Sequence, residues 1–535
     1  MRLRTFEPRS NDAPIARRSR AEKDARWRQV GCQGRSGDTG FCAQRHTLRV
    51  LALRLSSAKE NESRRAVMNR TAGTLAPENL APRDDALHRE PGRHRWIVLA
   101  IIALALAARG AAIVVIGHPE LLHGALTLSF DEPSYHRLAR TLAETGTYAV
   151  SPKRPPSAYR SPGTVLLLAG AYRVFGSSPF VGVACVLAVS MSVVLAVRRL
   201  ARVTVADALA ADIAAIICAV MPTLLWTSTG IWSEPLAILM TLVALLLLVE
   251  SGIAHAGPVR WAAIGSCTAA AYLTRSSAAF LIPLLAGVAT AGPGSAAQRA
   301  ARTFAFVAAV TIPVGAWGMR NYVAMGEFFI GGTAAGHTIW ESNNPVTAGI
   351  ALPIPQKLGT EEELFADARA GAFLGSWLPQ QYVPGSETIP HGAGELVEYD
   401  AYMALARDFV KSNPAAALRL LGYKFVRIFT AESVPASVAG GSGPVDSIKR
   451  AITLGERWFL LAFGTAGLIM LRRSRRETVA AYAVFVVAGL ASVFVAYVNA
   501  RFLLPVTTVL IVPAAFATSR LLGRLAPGVV RTLSQ

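Results

Sequence analysis

The sequence predicts an all-α polytopic membrane protein, and three observations predict it. The 535 residues are 52% hydrophobic, with a mean hydropathy of +0.39. Only 16% are charged, against about 25% in soluble globular domains. The apolar runs are about twenty residues long, enough to cross ~30 Å of hydrocarbon at ~1.5 Å per residue. About ten transmembrane helices are expected, with two large extracytoplasmic loops carrying interfacial helices.

Residues 1 to 94 are rich in Arg, Ser, Asp and Pro and lack sustained apolar periodicity. Such a composition buries too little surface to offset its ordering entropy, so a disordered basic extension is expected. About half of the net charge of +20 precedes the first span. That unevenness favours a solvated tail, or a start at Met68, over a nucleic-acid partner. A basic tail resting on anionic lipid is the functional alternative. No signal peptide is expected, because the apolar part first arrives at Trp96. The five cysteines, Cys32, Cys42, Cys185, Cys218 and Cys267, show no metal-ligand spacing, and three lie in apolar runs.

The first span is expected over 96 to 117, with Arg93, His94 and Arg95 before it placing the N-terminus in the cytoplasm. Arg109 falls towards its outer end, where snorkelling to the interface is the simpler expectation. Residues 118 to 162 form the first outside loop. The apolar stretch after Pro162-Gly163 is too short to span and reads as interfacial or re-entrant. Further spans are expected near 179 to 197, 206 to 225, 231 to 250, 259 to 273, 276 to 291 and 300 to 318. A large outside loop, 321 to 455, follows, with amphipathic patches at Glu361 to Trp377 and Gly394 to Lys411. Three last spans, near 456 to 471, 477 to 496 and 502 to 521, put Arg472, Arg473, Arg475 and Arg476 inside. Both termini are then cytoplasmic. The domains expected are the extension (1 to 94), an N-terminal membrane module (95 to 320), the large loop (321 to 455) and the C-terminal helices with a short tail (456 to 535).

Chemistry-bearing residues gather on the outside. Asp131 and Glu132 open a helical segment in which Tyr135, Leu138, Ala139 and Leu142 share one face. Asp131 reads equally as an N-cap or as a catalytic carboxylate. Glu234 opens a span beside Pro235 and has the same two readings. Arg275 sits at a tight corner between spans, where a lone arginine usually reaches for lipid phosphate. Arg160, Lys424, Arg427 and Arg501 add outside cations. Orientation bias disfavours outside cations, and a phosphate-bearing ligand explains several at one level, because guanidinium forks match phosphate oxygens.

The order of Asp131-Glu132, Arg160-Ser161-Pro162-Gly163, Ser233-Glu234, Leu273-Thr274-Arg275, Arg320-Asn321-Tyr322, Glu341-Ser342-Asn343-Asn344-Pro345 and Asn499-Ala500-Arg501-Phe502 resembles the multispan C-type glycosyltransferases. The resemblance is greatest to the bacterial branch of protein O-mannosyltransferases and lipid A aminoarabinose transferases, and it covers residues 95 to 520. It implies transfer of a sugar from a polyprenyl-phosphate carrier to a lipid, glycan or protein acceptor at the outer face of the cytoplasmic (inner) membrane. It places the first-loop acid at Asp131, the later acid at Glu234 and the donor-phosphate contacts at Arg160, Arg275 and Arg501; Glu132, beside Asp131, joins the expected catalytic acids and Lys424, an outside cation, the expected phosphate contacts. Many members have a Lys-Pro-Pro type sequence where this chain has Arg160-Ser161-Pro162. No cofactor is required, although the two acids leave a divalent metal open.

The residue set suits that chemistry independently. A phosphate leaving group, with a second pKa of ~6, departs unprotonated at neutral pH. One carboxylate to take the acceptor's proton and cations to hold the phosphate suffice, and a single displacement inverts the anomeric carbon. The competing reading is a transporter or flippase of a phosphate-bearing or lipid-linked substrate. It calls for charges at mid-membrane and repeat symmetry, neither of which the sequence offers.

Overall fold

The computed structural model describes residues 91 to 123, 126, 128, 131 to 344, 394 to 430, 444 to 496 and 498 to 526. Within them every regular element is helical. Glu361 to Trp377 and residues 1 to 90 lie outside the described residues. The amphipathic patch expected at Gly394 to Lys411 is a helix, Glu395–Ser412.

In chain order the helices are α1 (Pro91–Ala112, continued by a π turn at Ile113–Gly117), α2 (Glu132–Thr145), α3 (Pro162–Phe175) and α4 (Pro179–Val205). Then come α5 (Ala208–Val220), α6 (Pro222–Trp226), α7 (Glu234–Ser251), α8 (Pro258–Thr274), α9 (Leu281–Ala291) and α10 (Ala296–Met325). The remainder are α11 (Ala334–Ser342), α12 (Glu395–Ser412), α13 (Pro414–Thr430), α14 (Pro444–Arg472), α15 (Arg476–Val495) and α16 (Ala500–Leu525). Helices occupy all ten expected span positions. By length and composition, seven can cross a membrane: Arg95–Gly117, Pro179–Val205, Glu234–Ser251, Ala296–Met325, Ala451–Arg472, Arg476–Val495 and Ala500–Leu525. The run expected at 206 to 225 is divided, because Met221 is extended and Pro222, which lacks an N–H, starts a new helix. The thirteen residues of α5 reach only ~20 Å.

Two kinds of packing hold the bundle. On α5, Ala210, Ala211, Ala214 and Ala215 are fully buried, letting neighbouring backbones approach. At Gly467 a Cβ would stand 1.9 Å from the Pro513 carbonyl, so α14 meets α16 only because that residue is glycine. Helix α16 is the axis, with 83% of its apolar window buried, and its first turn carries Arg501.

Arg109 corrects an expectation. Rather than snorkelling, it is fully buried. Its Nε donates to Ser190 Oγ at 2.8 Å and its Nη1 to the Ala219 carbonyl at 3.0 Å. Ala219 lies in the last turn of α5, where unsatisfied carbonyls and the helix dipole favour a cation.

Ion pairs gather at the two ends of the bundle. At one end Arg198 pairs with Asp212 at 2.7 Å and Arg199 with Glu250 at 2.8 Å, and Arg475 donates to the Val203 carbonyl at 3.1 Å. The starts of α2, α7 and α16 meet at the other.

Candidate functional site

Asp131 stands at the N-cap of α2. Its backbone is helical, and its side chain makes no capping bond. Both carboxylate oxygens instead accept guanidinium donors: Oδ1 from Arg160 Nη2 at 2.6 Å and Oδ2 from Arg501 Nη2 at 2.7 Å. Of the two readings open in the sequence, the cap is therefore not what this side chain does. Burial alone would raise the Asp131 carboxyl. The Arg160 and Arg501 guanidiniums overcome it and hold the group well below the usual carboxylate range.

Arg501 bridges two acids. Its Nε donates to Glu234 Oε1 while its Nη2 holds Asp131. Arg275 Nη1 reaches the same Glu234 oxygen at 2.7 Å and Ser233 Oγ at 3.0 Å. Arg275 is thus turned into the bundle rather than out to lipid. Three guanidiniums against two carboxylates leave one excess positive charge. Asp131, Glu234, Arg160, Arg275 and Arg501, all named from sequence, form this one network although Arg501 lies 370 residues from Asp131.

Aromatic rings fix the cations. Arg160 lies over Tyr135 and Tyr159 at 5.1 and 4.8 Å, Arg501 over Trp232 at 4.6 Å, and Arg275 over Phe502 at 5.2 Å. Ser134 completes the Arg160 seat, accepting from its Nε at 2.9 Å and donating to the Asp131 carbonyl at 2.6 Å. The sequence reading gave Trp232 and Ser134 no role. An aromatic residue beside each of three arginines or their acids, as in Tyr159-Arg160, Arg501-Phe502 and Trp232-Ser233-Glu234, was the available signal.

Glu132 and Lys424 lie apart from the network. The Glu132 carboxylate turns down to accept the Ile231 N–H at 2.8 Å, and His118 Nε2 is 3.4 Å away. Lys424 is fully buried and donates to Asn343 Oδ1 and to the Phe494 carbonyl, both at 2.9 Å. Burial pushes its pKa down to about 8. Asn343 in turn donates to the Val495 carbonyl at 2.8 Å. This pair therefore fastens the end of α11 to the last carbonyls of α15, a few residues before Arg501.

A divalent cation does not fit this donor set. Each Asp131 oxygen is held by a guanidinium, Glu234 is held by two, and Glu132 faces elsewhere. The network's excess positive charge further disfavours a second cation.

A narrow cleft starts at Glu234, Arg275 and Arg501. It runs between α7, α9, α15 and α16 along apolar walls that include Ile238, Leu281, Phe485 and Leu504. One end is cationic and the remaining walls are mostly apolar.

No family profile matches the chain, and no curated protein matches it. Solved structures of multispan C-type glycosyltransferases are similar to it. One is the archaeal oligosaccharyltransferase AglB from Archaeoglobus fulgidus, in complex with an inhibitory peptide and a dolichol-phosphate. It has 13% identity and a TM-score of 0.47 over 83% of this chain and 51% of that one. Another is ArnT from Cupriavidus metallidurans bound to undecaprenyl phosphate, with 14% identity and a TM-score of 0.35 over 81% of this chain and 80% of that one. The chain thus spans about half the length of the archaeal enzyme. Likenesses this distant leave the chemistry to be read from the chain's own residues.

Proposed function

We propose that the chain is a membrane glycosyltransferase that moves a sugar from a polyprenyl-phosphate donor to a lipid, glycan or protein acceptor. In this reading it spans the cytoplasmic membrane ten times with both termini inside, and the Asp131 end is extracytoplasmic. Residues 118 to 162 form the catalytic loop. The observation that carries the reading is the Asp131 carboxylate clamped between Arg160 and Arg501, of which Arg501, with Arg275, also lines the cationic end of a cleft whose other walls are mostly apolar. A lipid phosphate needs both halves of that cleft.

The mechanism follows from a competition. The donor phosphate and the two carboxylates seek the same guanidiniums, and Arg501 serves both acids at once. When the phosphate takes Arg501 and Arg275, Asp131 loses one of its two partners and becomes the stronger base. The acceptor hydroxyl then attacks the anomeric carbon. Its oxygen bonds to that carbon, its proton passes to Asp131, and the bond to the phosphate oxygen breaks with the electron pair leaving on phosphate. Charge growing on the phosphate is met by guanidiniums already in place. One displacement inverts the anomeric centre. Glu132 supports the loop from beneath, and Glu234 keeps Arg275 and Arg501 aimed at the cleft.

Lipid-linked and surface glycans of a deletion strain, compared with the parent, test the reading. The expected result is loss of one surface sugar together with accumulation of its monosaccharide polyprenyl-phosphate. Unchanged surface glycans, or a completed glycan trapped on the cytoplasmic side as a transport defect would leave it, would contradict it.

A further inference from the structure

Helix α11 carries polar groups that neither the packing nor the proposed displacement uses. It is keyed to the first loop by backbone bonds, from Thr333 N to the Ala158 carbonyl at 3.0 Å and from Ala334 N to the Tyr159 carbonyl at 3.2 Å. Its register is therefore set relative to Arg160, the next residue. From that start His337, Trp340 and Glu341 fall on one helical face.

Trp340 and Glu341 are buried, and His337, about a quarter exposed, keeps its Nε2 inside. Trp340 is 4% exposed, and its Nε1 has no hydrogen-bond partner among the described residues. The same holds for His337 Nε2. The His337 ring sets its edge against Tyr402 at 5.2 Å, and Trp340 packs in the same cluster as Tyr402. His337 Nδ1 lies 3.9 Å from Glu341 Oε2. Burial, with the nearby charge of Asp131, pushes the Glu341 carboxyl up to about 8, and burial brings His337 down to about 4. At neutral pH the face is uncharged.

Buried polar atoms in folded proteins nearly always have partners, and an apolar side chain would fill this space without leaving any orphaned. An indole N–H, a neutral imidazole and a neutral carboxyl beside aromatic rings make a set that can donate to and accept from hydroxyls. With the donor phosphate in place the charges of the neighbouring network balance, so nothing beside this face compensates a charged sugar, and no unpaired cation on it awaits a uronate. We propose that His337, Trp340 and Glu341 form the subsite for the transferred sugar, and that this sugar is uncharged and rich in hydroxyls. The assignment rests on the glycosyltransferase reading and names the substrate class for it.

The test measures binding to the purified full-length protein in detergent. The probes are undecaprenyl phosphate, undecaprenyl-phosphate glucose and mannose, and an undecaprenyl-phosphate amino-pentose. The wild type should bind a neutral hexosyl carrier at least about tenfold more tightly than the bare carrier, and should show no such gain with the amino-pentose. His337→Ala and Glu341→Ala should each remove about fivefold of that advantage, the scale of one lost hydrogen bond, without changing affinity for the bare carrier. Glu341→Gln, whose amide donates and accepts, should retain it. The proposal is overturned if the alanine variants keep the hexosyl advantage, if they lose bare-carrier binding in parallel, or if the wild type prefers the amino-pentose. A wild type that binds no carrier at all overturns the glycosyltransferase reading and this subsite with it.

Discussion

Asp131 and Glu132 are adjacent acids at the start of one helix, and the structure gives them opposite surroundings. Asp131 keeps its side chain 26% exposed and meets two guanidiniums, whereas Glu132 is 2% exposed and accepts the Ile231 N–H. One is held between Arg160 and Arg501; the other braces the loop that leads into α7. Helix geometry turns successive side chains apart by about 100°, so a pair that reads as one motif serves two regions. What decides each role is the partner brought from elsewhere in the chain, Arg501 for Asp131 and residues 230 to 231 for Glu132.

That contrast can be broken from either side. The largest effect belongs to Arg501→Ala, which removes the bridge shared by Asp131 and Glu234 and the contact assigned to phosphate. Loss of one preorganised donor to a developing charge lowers turnover by about 10² to 10³. Donor affinity should fall as well, because the phosphate contact exists before the reaction. Initial rates over a range of donor concentrations separate the two effects.

On the other side, Gly230→Ala would place a Cβ 1.8 Å from Glu132 Oε1. Glu132 must then leave the Ile231 N–H and strand it in the interior, at a cost of about 1–3 kcal/mol. A lowered thermal midpoint in detergent is expected, with near-normal turnover per folded molecule. A loss of turnover without a loss of stability would instead make Glu132 a member of the reaction centre.

Lys424→Met sharpens the comparison for a cation that the sequence grouped with the arginines. It should destabilise by about 1–3 kcal/mol, since the Asn343 and Phe494 oxygens lose a buried donor. A selective loss of affinity for undecaprenyl phosphate would return Lys424 to the phosphate site.

The smallest effect is one of pH. The folded Asp131 carboxyl is held below its unfolded value of ~3.9, so the native state binds fewer protons there than the unfolded chain. The stabilisation from its ion pairs is therefore complete above about pH 4 and is lost as pH falls through the folded value. The difference in thermal midpoint between wild type and Asp131→Asn should stay flat from pH 8 to about 4 and shrink below it.

Much of this was legible beforehand. Hydropathy located the helical runs, and the basic clusters sorted Arg198 and Arg475 to one end and Asp131, Glu234 and Arg501 to the other. Hydropathy does not report partners across hundreds of residues. It left Asp131 between cap and site, and it sent Arg109 towards lipid because nothing local revealed that the last turn of α5 would supply carbonyls. The division of 206 to 225 turned on one proline, Pro222. Trp232 escaped notice because its role is to lie beneath a guanidinium carried by another helix.

The central claim is that Asp131 takes the acceptor's proton while the guanidiniums hold the phosphate. Its most direct test is transfer from labelled polyprenyl-phosphate sugar by purified Asp131→Asn in detergent. Asn preserves size and can accept one guanidinium, but it is no general base. Transfer should fall by about 10² to 10⁴ while the protein stays folded and still binds undecaprenyl phosphate. Turnover close to that of the wild type would contradict the account.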